Sequence, residues 1–465
     1  MSESARAMNA IGQCFGALLL AVACTPSTGG ELQRAFDAAL QNDPTYQAAR
    51  AELASSLQNL PIARAGLRPT LSLSISDSKV DGSRTIDNPP LASVTQALDY
   101  RAPTQSLNLR APLYNREAAK KIELAQAQEA YALALLRVRQ AELADRLAKT
   151  WLEGVLADHG LAAARIQLEA ATVQNDIAAR RLALGEGTRP EVADAASALG
   201  AARVQLAEAQ SLRDLALLTL RQMRGYEGAL VDLALPATSG FAALPALPNH
   251  LAKLLDQADT ANATLAVRRF AVQASQVSVE RARSGHYPRL DFVASLTQAS
   301  NESLSTINQS ARQQSFGLQL NVPLYSGGAV SAGVTQALAD QTRAEAELAA
   351  EQQAIARDVT RLFYLVSLGS EKMAAQQKAV DSAGLNLESA QKGLPAGLST
   401  QFDIAQARHK LAQVTQERAQ SAQEILLARL RLDLRMGDDP AAAITRLEAG
   451  LATSPLVAST TNARP

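Results

Sequence analysis

Aromatic side chains are scarce in this sequence: 4% of 465 residues, with a single tryptophan. Large conventional cores draw much of their buried area from aromatics, so a bulky globular core is not what this chain encodes. Cysteine is nearly absent. Cys14 and Cys24 both lie close to the N-terminus, which excludes a disulfide framework or a Cys-based zinc site in the remainder. The four histidines, His159, His250, His286 and His409, are scattered, none at metal-ligand spacing with another His or Cys. An excess charge of either sign is also missing. Lys plus Arg equals Asp plus Glu at 45 each, which provides no long-range attraction for nucleic acid or an acidic surface. No phosphate-binding glycine loop, nucleophile elbow or convergent catalytic set of nucleophile, base and orienting residue occurs. No catalytic residue, metal site or cofactor is therefore expected, and no enzyme. What is abundant is Ala, Leu, Gln, Glu and Arg, the composition of long helices with narrow seams.

The first residues read as an export signal. Arg6 lies in a short polar stretch, Ile11 to Ala23 is apolar, and Ala21-Val22-Ala23 offers the small residues that a signal peptidase reads. The apolar run is short of the roughly 20 residues of a membrane-spanning helix. A short N-terminal anchor is the alternative. Cys24 directly follows the small residues and is a candidate lipidation site, although Ala21 stands where a lipobox prefers Leu or Val.

The chain then repeats itself. Arg64-Ala-Gly66-Leu-Arg-Pro69 matches Arg283-Ser-Gly285-His-Tyr-Pro288. Ala111-Pro112-Leu113-Tyr114 matches Val322-Pro323-Leu324-Tyr325. Leu182-Ala-Leu-Gly185 followed by Glu191-Val192 matches Leu394-Pro-Ala-Gly397 followed by Asp403-Ile404. The order is the same and the offset stays between about 211 and 219 positions. The expected organisation is a signal peptide over 1–23, a first unit over 24–245, a second over 246–440 and a flexible tail over 441–465. Each unit reads as short helices, two strands, a very long helix and a second long helix.

Proline and glycine mark the joints. No proline occurs between Pro112 and Pro190 or between Pro323 and Pro395, and both intervals are rich in helix formers. The pattern predicts helices over about 115–184, 189–226, 327–394 and 400–436, paired as antiparallel hairpins. A helix of about 70 residues is roughly 100 Å long and must find partners along its whole length. Gly154, Gly160, Gly369 and Gly384 suit bends or close packing, and Ala-rich stretches such as Ala193 to Ala202 let helices approach and curve around a wall. Taken alone, these helices also fit a filamentous coiled coil, with a scaffold function.

Four short segments switch to a period of two, over about 69–78, 104–113, 288–298 and 313–323. Leu71, Leu73 and Ile75 alternate with serines. Leu107, Leu109 and Ala111 alternate with Ser106, Asn108 and Arg110. Leu290, Phe292, Ala294 and Leu296 share one parity, as do Phe316, Leu318, Leu320 and Val322. One apolar and one mostly polar face per strand is the pattern of a barrel with lipid outside and water inside. Four strands cannot close a membrane barrel alone, and open edges cannot sit in lipid. The pattern therefore requires either a half-buried soluble sheet or a barrel shared between chains. The segments 77–101 and 300–312 are polar and suit loops at a cell's outer face.

The order strand, Pro-Leu-Tyr114-Asn-Arg, long helix, glycine turn, acidic helix start, repeated with Asn321-Val-Pro-Leu-Tyr-Ser-Gly-Gly328, resembles TolC and the related outer-membrane efflux proteins. Ala38-Ala-Leu-Gln-Asn-Asp-Pro44 is similar to that family's opening helix, and the likeness covers about residues 31–440. The second motif is nearer the type I secretion branch than the lipoprotein drug-efflux branch. The resemblance implies a mainly α, duplicated chain that assembles as a homotrimer, with a twelve-stranded membrane β-barrel and a helical tunnel through the periplasm. It implies a periplasmic adaptor (membrane fusion protein) and an inner-membrane transporter, ABC type favoured, as partners, outer-membrane lipid around the barrel, and no nucleic acid.

The family's features also imply particular residues. The inter-helix turns at Gly185-Glu186 and Gly397-Leu398 fall where the adaptor docks. Asp403 matches one acidic ring at the tunnel entrance; the next ring position, one helical turn on, is Gln406, a departure from the usual acid. The first-unit equivalents are Glu191 and Asp194. Thr188-Arg-Pro-Glu191 and Thr400-Gln-Phe-Asp403 also read as capping boxes, in which the acid satisfies a helix start. The leading expectation is a passive duct for type I protein secretion, with a multidrug-efflux duct as the closest alternative.

Overall fold

The structure, a computed structural model, describes residues 30–86, 94–225, 250–302 and 308–451. The segment expected as a signal over 1–23 and the candidate lipidation site Cys24 lie outside the described residues. The first half runs α1 (Glu31–Asn42), α2 (Pro44–Leu57), α3 (Asn59–Ala65), β1 (Thr70–Ile86), β2 (Val94–Asn115), α4 (Arg116–Ala183) and α5 (Arg189–Arg224). The second runs α6 (Leu251–Ala261), α7 (Ala263–Arg283), β3 (Arg289–Glu302), β4 (Asn308–Asn321), α8 (Ala329–Gly393) and α9 (Gln401–Arg435), and α10 (Pro440–Leu451) follows.

The two long helices, 68 residues in α4 and 65 in α8, are each about 100 Å long at 1.5 Å per residue. Nothing inside either breaks the ladder, and α4 starts where the Asn115 side chain accepts from the Ala118 N–H at 3.0 Å. Helices α4 and α5 form one antiparallel hairpin and α8 and α9 the other, and α4 packs on α9. The wall order is therefore α5-α4-α9-α8. Close approach within it needs a missing side chain at Gly369, where a Cβ would stand 2.9 Å from the Ile425 side chain. Among the described residues, no helix is long and apolar enough to cross a membrane.

Two apolar clusters sit where short helices pack on the long ones. In one, Leu32, Ala35, Phe36 and Ala39 of α1 meet Leu147 and Trp151 of α4, Leu220 of α5 and Leu430 of α9. In the other, Leu254 and Ala258 of α6 meet Val359 and Leu362 of α8 and Leu432 of α9. The duplication extends to the joints below them. Buried Asp43 caps α2 by accepting from the Tyr46 N–H at 2.9 Å, and buried Asn262 caps α7 by accepting from Thr264 and Leu265 N–H groups.

The tail expected to be flexible from 441 on is instead helical through Leu451. Ala443, Ile444 and Leu447 are buried in the first cluster, and the Glu448 carboxylate accepts from the Leu32 and Gln33 N–H groups at the start of α1. Apolar residues spaced three and four apart give α10 a face to bury, and the α1 surface supplies the partner.

The strands form one antiparallel sheet in the order β1-β2-β3-β4. They are longer than the sequence pattern marks. The segments expected as loops at 77–101 and 300–312 are largely ladder, paired out to Ile86↔Val94 and Glu302↔Asn308. Their polarity is compatible with strand because cross-strand partners replace burial. Lys79 lies directly opposite Arg101, and the diagonal carboxylates offset the repulsion, with Lys79–Asp99 at 3.0 Å and Arg101–Asp77 at 3.9 Å. A bulge between Pro112 and Tyr114 shifts the β2–β3 register where proline has no N–H to give. Sheet and helices are joined by the Arg289–Glu117 ion pair at 2.5 Å and by the Arg116 guanidinium 4.3 Å from the Tyr287 ring centroid.

Candidate functional site

The sheet has two chemically distinct faces. Directly paired residues share a face, so Leu71, Leu109, Ala294 and Phe316 form one row. Leu73, Leu107 and Leu296 form the next row towards the hairpin ends. On the other side come Ala111, Phe292 and Leu318, then Tyr114, Leu290 and Leu320. From Leu290 to Leu296 this band runs about 20 Å at about 3.4 Å per residue, close to the roughly 25 Å apolar belt of an outer-membrane barrel. Nothing among the described residues covers it: Phe316 is 83% exposed, and Leu318 and Leu73 are each 67% exposed. The opposite face carries Ser72, Ser74, Ser106, Asn108, Ser295, Thr297, Ser315 and Gln319. The outer strands β1 and β4 each have one neighbour, so two edges of N–H and C=O groups remain open.

At the far end of the helices, the two inter-helix turns are built alike. At the end of α4 the Glu186 N–H donates to Arg181 C=O at 2.9 Å and Gly185 N–H to Leu182 C=O at 3.0 Å. At the end of α8 the Leu398 N–H donates to Gly393 C=O at 2.9 Å and Gly397 N–H to Leu394 C=O at 3.1 Å. This is the bonding of a Schellman stop, which needs a left-handed residue. Gly185 and Gly397 have φ of 79° and 70°. The space around both glycines is open, so the constraint there is backbone conformation and not room. Each turn also presents an exposed leucine, Leu184 at 74% and Leu398 at 85%.

The acidic helix starts are capping boxes. At α5 the Thr188 N–H donates to Glu191 Oε2 at 3.1 Å and the Glu191 N–H to Thr188 Oγ1 at 3.4 Å. At α9 the Thr400 N–H and hydroxyl both donate to Asp403 Oδ2 at 2.7 Å, and the Asp403 N–H returns to Thr400 Oγ1 at 3.2 Å. The hydroxyl bond first, and the backbone bond after it, hold the Asp403 carboxyl below its usual range. Asp403 therefore stays charged as pH falls. Its contribution to the helix start is present above the unfolded carboxyl pKa of about 3.9 and is lost only as pH drops through the lower folded value. Asp194 and Gln406 are exposed one turn further along their helices.

Ion pairs across the wall are the feature that the sequence does not disclose. Arg213 Nε meets Asp158 at 2.6 Å between α5 and α4, and Arg408 meets Glu169 at 2.9 Å between α9 and α4. Arg431 meets Asp145 at 2.7 Å between α9 and α4, and Lys372 meets Glu424 at 2.9 Å between α8 and α9. The partners are far apart in the chain, and no local pattern marks one carboxylate over another. Among the described residues no group of His, Cys, Asp and Glu side chains is placed to hold a metal.

Known proteins share both the sequence and the fold. The sequence profile of the family described as outer membrane efflux protein matches residues 35–226 and 254–438. The proteases secretion protein PrtF of Dickeya chrysanthemi is 30% identical over 459 residues, covering 96% of this chain and 97% of that protein. The alkaline protease secretion protein AprF of Pseudomonas aeruginosa is 28% identical over 423 residues, covering 91% of this chain and 87% of its own length. Among solved structures, the CmeC outer membrane channel of Campylobacter jejuni superposes with a TM-score of 0.68 at 15% identity, covering 90% of each chain.

Proposed function

The chain belongs to the outer membrane efflux protein family, a family of outer-membrane channels and not of enzymes, and from that premise we propose that it is the exit duct of a type I protein secretion system. The full-length similarity to two protease secretion proteins carries this reading. The scaffold alternative falls with family membership. The polar face of the sheet agrees with a polypeptide cargo. Hydroxyl and amide groups offer weak, interchangeable hydrogen bonds to a passing chain and no fixed binding site.

In this reading the units 24–245 and 246–440 contribute two strands each, and three copies close a twelve-stranded barrel, with the apolar band in lipid. The helical wall supports the same assembly. Its free edges, α5 and α8, carry exposed Leu212 and Leu215 on one and Tyr364 and Leu368 on the other. Both sets lie about 40 Å from their inter-helix turns at 1.5 Å per residue, so they meet at one height when α5 of one copy adjoins α8 of the next. The glycine turns face a periplasmic adaptor, and an inner-membrane transporter of the ABC type supplies the energy.

The test is genetic and biochemical. Deleting the gene should abolish release of a protease to the medium and leave drug resistance unchanged; the reverse outcome would assign the duct to drug efflux. The purified mature protein should run as a heat-sensitive trimer band in detergent and form pores in planar bilayers. A monomer soluble without detergent would overturn the channel reading.

For the turns, Leu398→Asp and Leu184→Asp are expected to lose adaptor crosslinking and export while trimer yield stays normal. These positions separate docking from the left-handed backbone constraint at Gly185, Glu186 being its Schellman partner, and at Gly397. Wild-type crosslinking in both variants would remove the turns from the docking surface.

For the entrance, we assign Asp403 a place in the pore in addition to its cap, with Gln406, Glu191 and Asp194 as the further candidates at the helix starts. Asp403→Asn keeps an acceptor for Thr400 and removes the charge. The variant is expected to form intact trimers with lower cation selectivity and weaker block by divalent ions. Unchanged single-channel selectivity would reduce Asp403 to a helix cap.

A further inference from the structure

Level with the apolar band, the polar face of the sheet is almost free of charge, and its exception is a pair; Arg289, on the same face one row nearer the helices, is paired with Glu117. Within the band this face is formed by Thr70, Ser72 and Ser74 of β1, Ser106 and Asn108 of β2, Val293, Ser295 and Thr297 of β3, and Gln313, Ser315, Gly317 and Gln319 of β4. Arg110 and Asp291 supply the charges there. Arg110 occupies the row of Thr70, Val293 and Gly317, and Asp291 the next row towards the helices. Their side chains meet diagonally, Arg110 Nη2 to Asp291 Oδ2, at 2.5 Å. The two partners differ in access: the Arg110 side chain is 61% exposed and that of Asp291 is 6% exposed. The guanidinium thus stands over the open polar face, anchored by a carboxylate that is withdrawn from it. Gly317 in the same row presents no side chain to cover it.

We propose that Arg110 and Asp291 form an electrically balanced selectivity element at the helix-side end of the barrel lumen, separate from the acidic helix starts at the other end of the duct. This inference rests on the duct reading, because the polar face is a lumen only if copies of the chain close the barrel. Three copies then place three guanidinium groups around the water-filled passage, each offset by its own carboxylate. Rings of charged side chains set ion preference in pores, and a low-dielectric lipid wall strengthens their field. Balance lets polypeptide segments of either charge pass. Removing one member exposes the other, three times over.

The experiment is the reversal potential of purified channels in planar bilayers under a potassium chloride gradient. Asp291→Asn keeps an acceptor for Arg110 and leaves its charge uncompensated, so the reversal potential should move towards the chloride equilibrium potential. Arg110→Gln, at an exposed position, leaves the carboxylates and should move it towards the potassium equilibrium potential. The double variant should return to the wild-type value. A wild-type protein without pores would overturn the duct reading and this inference together. Pores in all variants with an unmoved reversal potential, or with both single variants moving it the same way, would overturn this inference alone.

Discussion

Leu318→Arg should keep the protein out of the outer membrane. Leu318 lies on the apolar face of β4, in the row of Ala111 and Phe292, and is 67% exposed on the single chain. A lipid-facing Arg near the bilayer midplane costs about 2–4 kcal/mol in a membrane barrel. Three copies raise that to roughly 6–12 kcal/mol per assembled barrel on the same scale, comparable with the whole stability of many folded proteins, about 5–15 kcal/mol. Gln319, the next residue, points to the opposite, polar face, directly across from Asp291. Gln319→Arg should therefore insert normally. The measurement is the heat-sensitive trimer band in urea-washed outer membranes for wild type and both variants. Equal insertion of the two variants would show that the faces are wrongly assigned or that no barrel forms.

Truncation after Asp439 is the second large effect. It removes Ile444 and Leu447, which are 0% and 4% exposed, and uncovers Phe36 and Leu32 of α1. Full burial of an aliphatic side chain is worth about 1.5–3 kcal/mol, so the two together represent about 3–6 kcal/mol per chain, an upper value because the unfolded chain already buries some of this surface. The loss of Glu448 also leaves the Leu32 and Gln33 N–H groups of α1 without their carboxylate. The expected result is a trimer that dissociates at lower temperature and is cut by protease near α1. Truncation after Leu451 leaves α10 whole and should match wild type. Equal heat resistance of the two truncations would mean that α10 does not stabilise the assembly. Thermal dissociation is the appropriate readout, since large membrane assemblies rarely unfold reversibly.

The sequence by itself determined the repeated order of elements. Proline-free intervals and glycine stops delimit α4 and α8 to within a residue or two, because local backbone chemistry decides where helices begin and end. It also determined the two faces of each strand within the apolar band, since side-chain direction has a period of two whatever the partner. The capping boxes at Glu191 and Asp403 were legible for the same local reason. Beyond residue 77, by contrast, a polar strand and a polar loop have one composition, and only the pairing partner distinguishes them, as Lys79 with Asp99 shows. The tertiary structure alone decided that residues 440–451 are a docked helix, because twelve residues are too few to hold a helix without a surface to bury against. It alone decided the choice of partners across the wall, such as Arg408 with Glu169, and the pairing of Arg110 with Asp291 across the two halves of the chain. A contact between residues about 180–240 positions apart leaves no mark on either local sequence; it exists only once the strands and helices have been brought side by side.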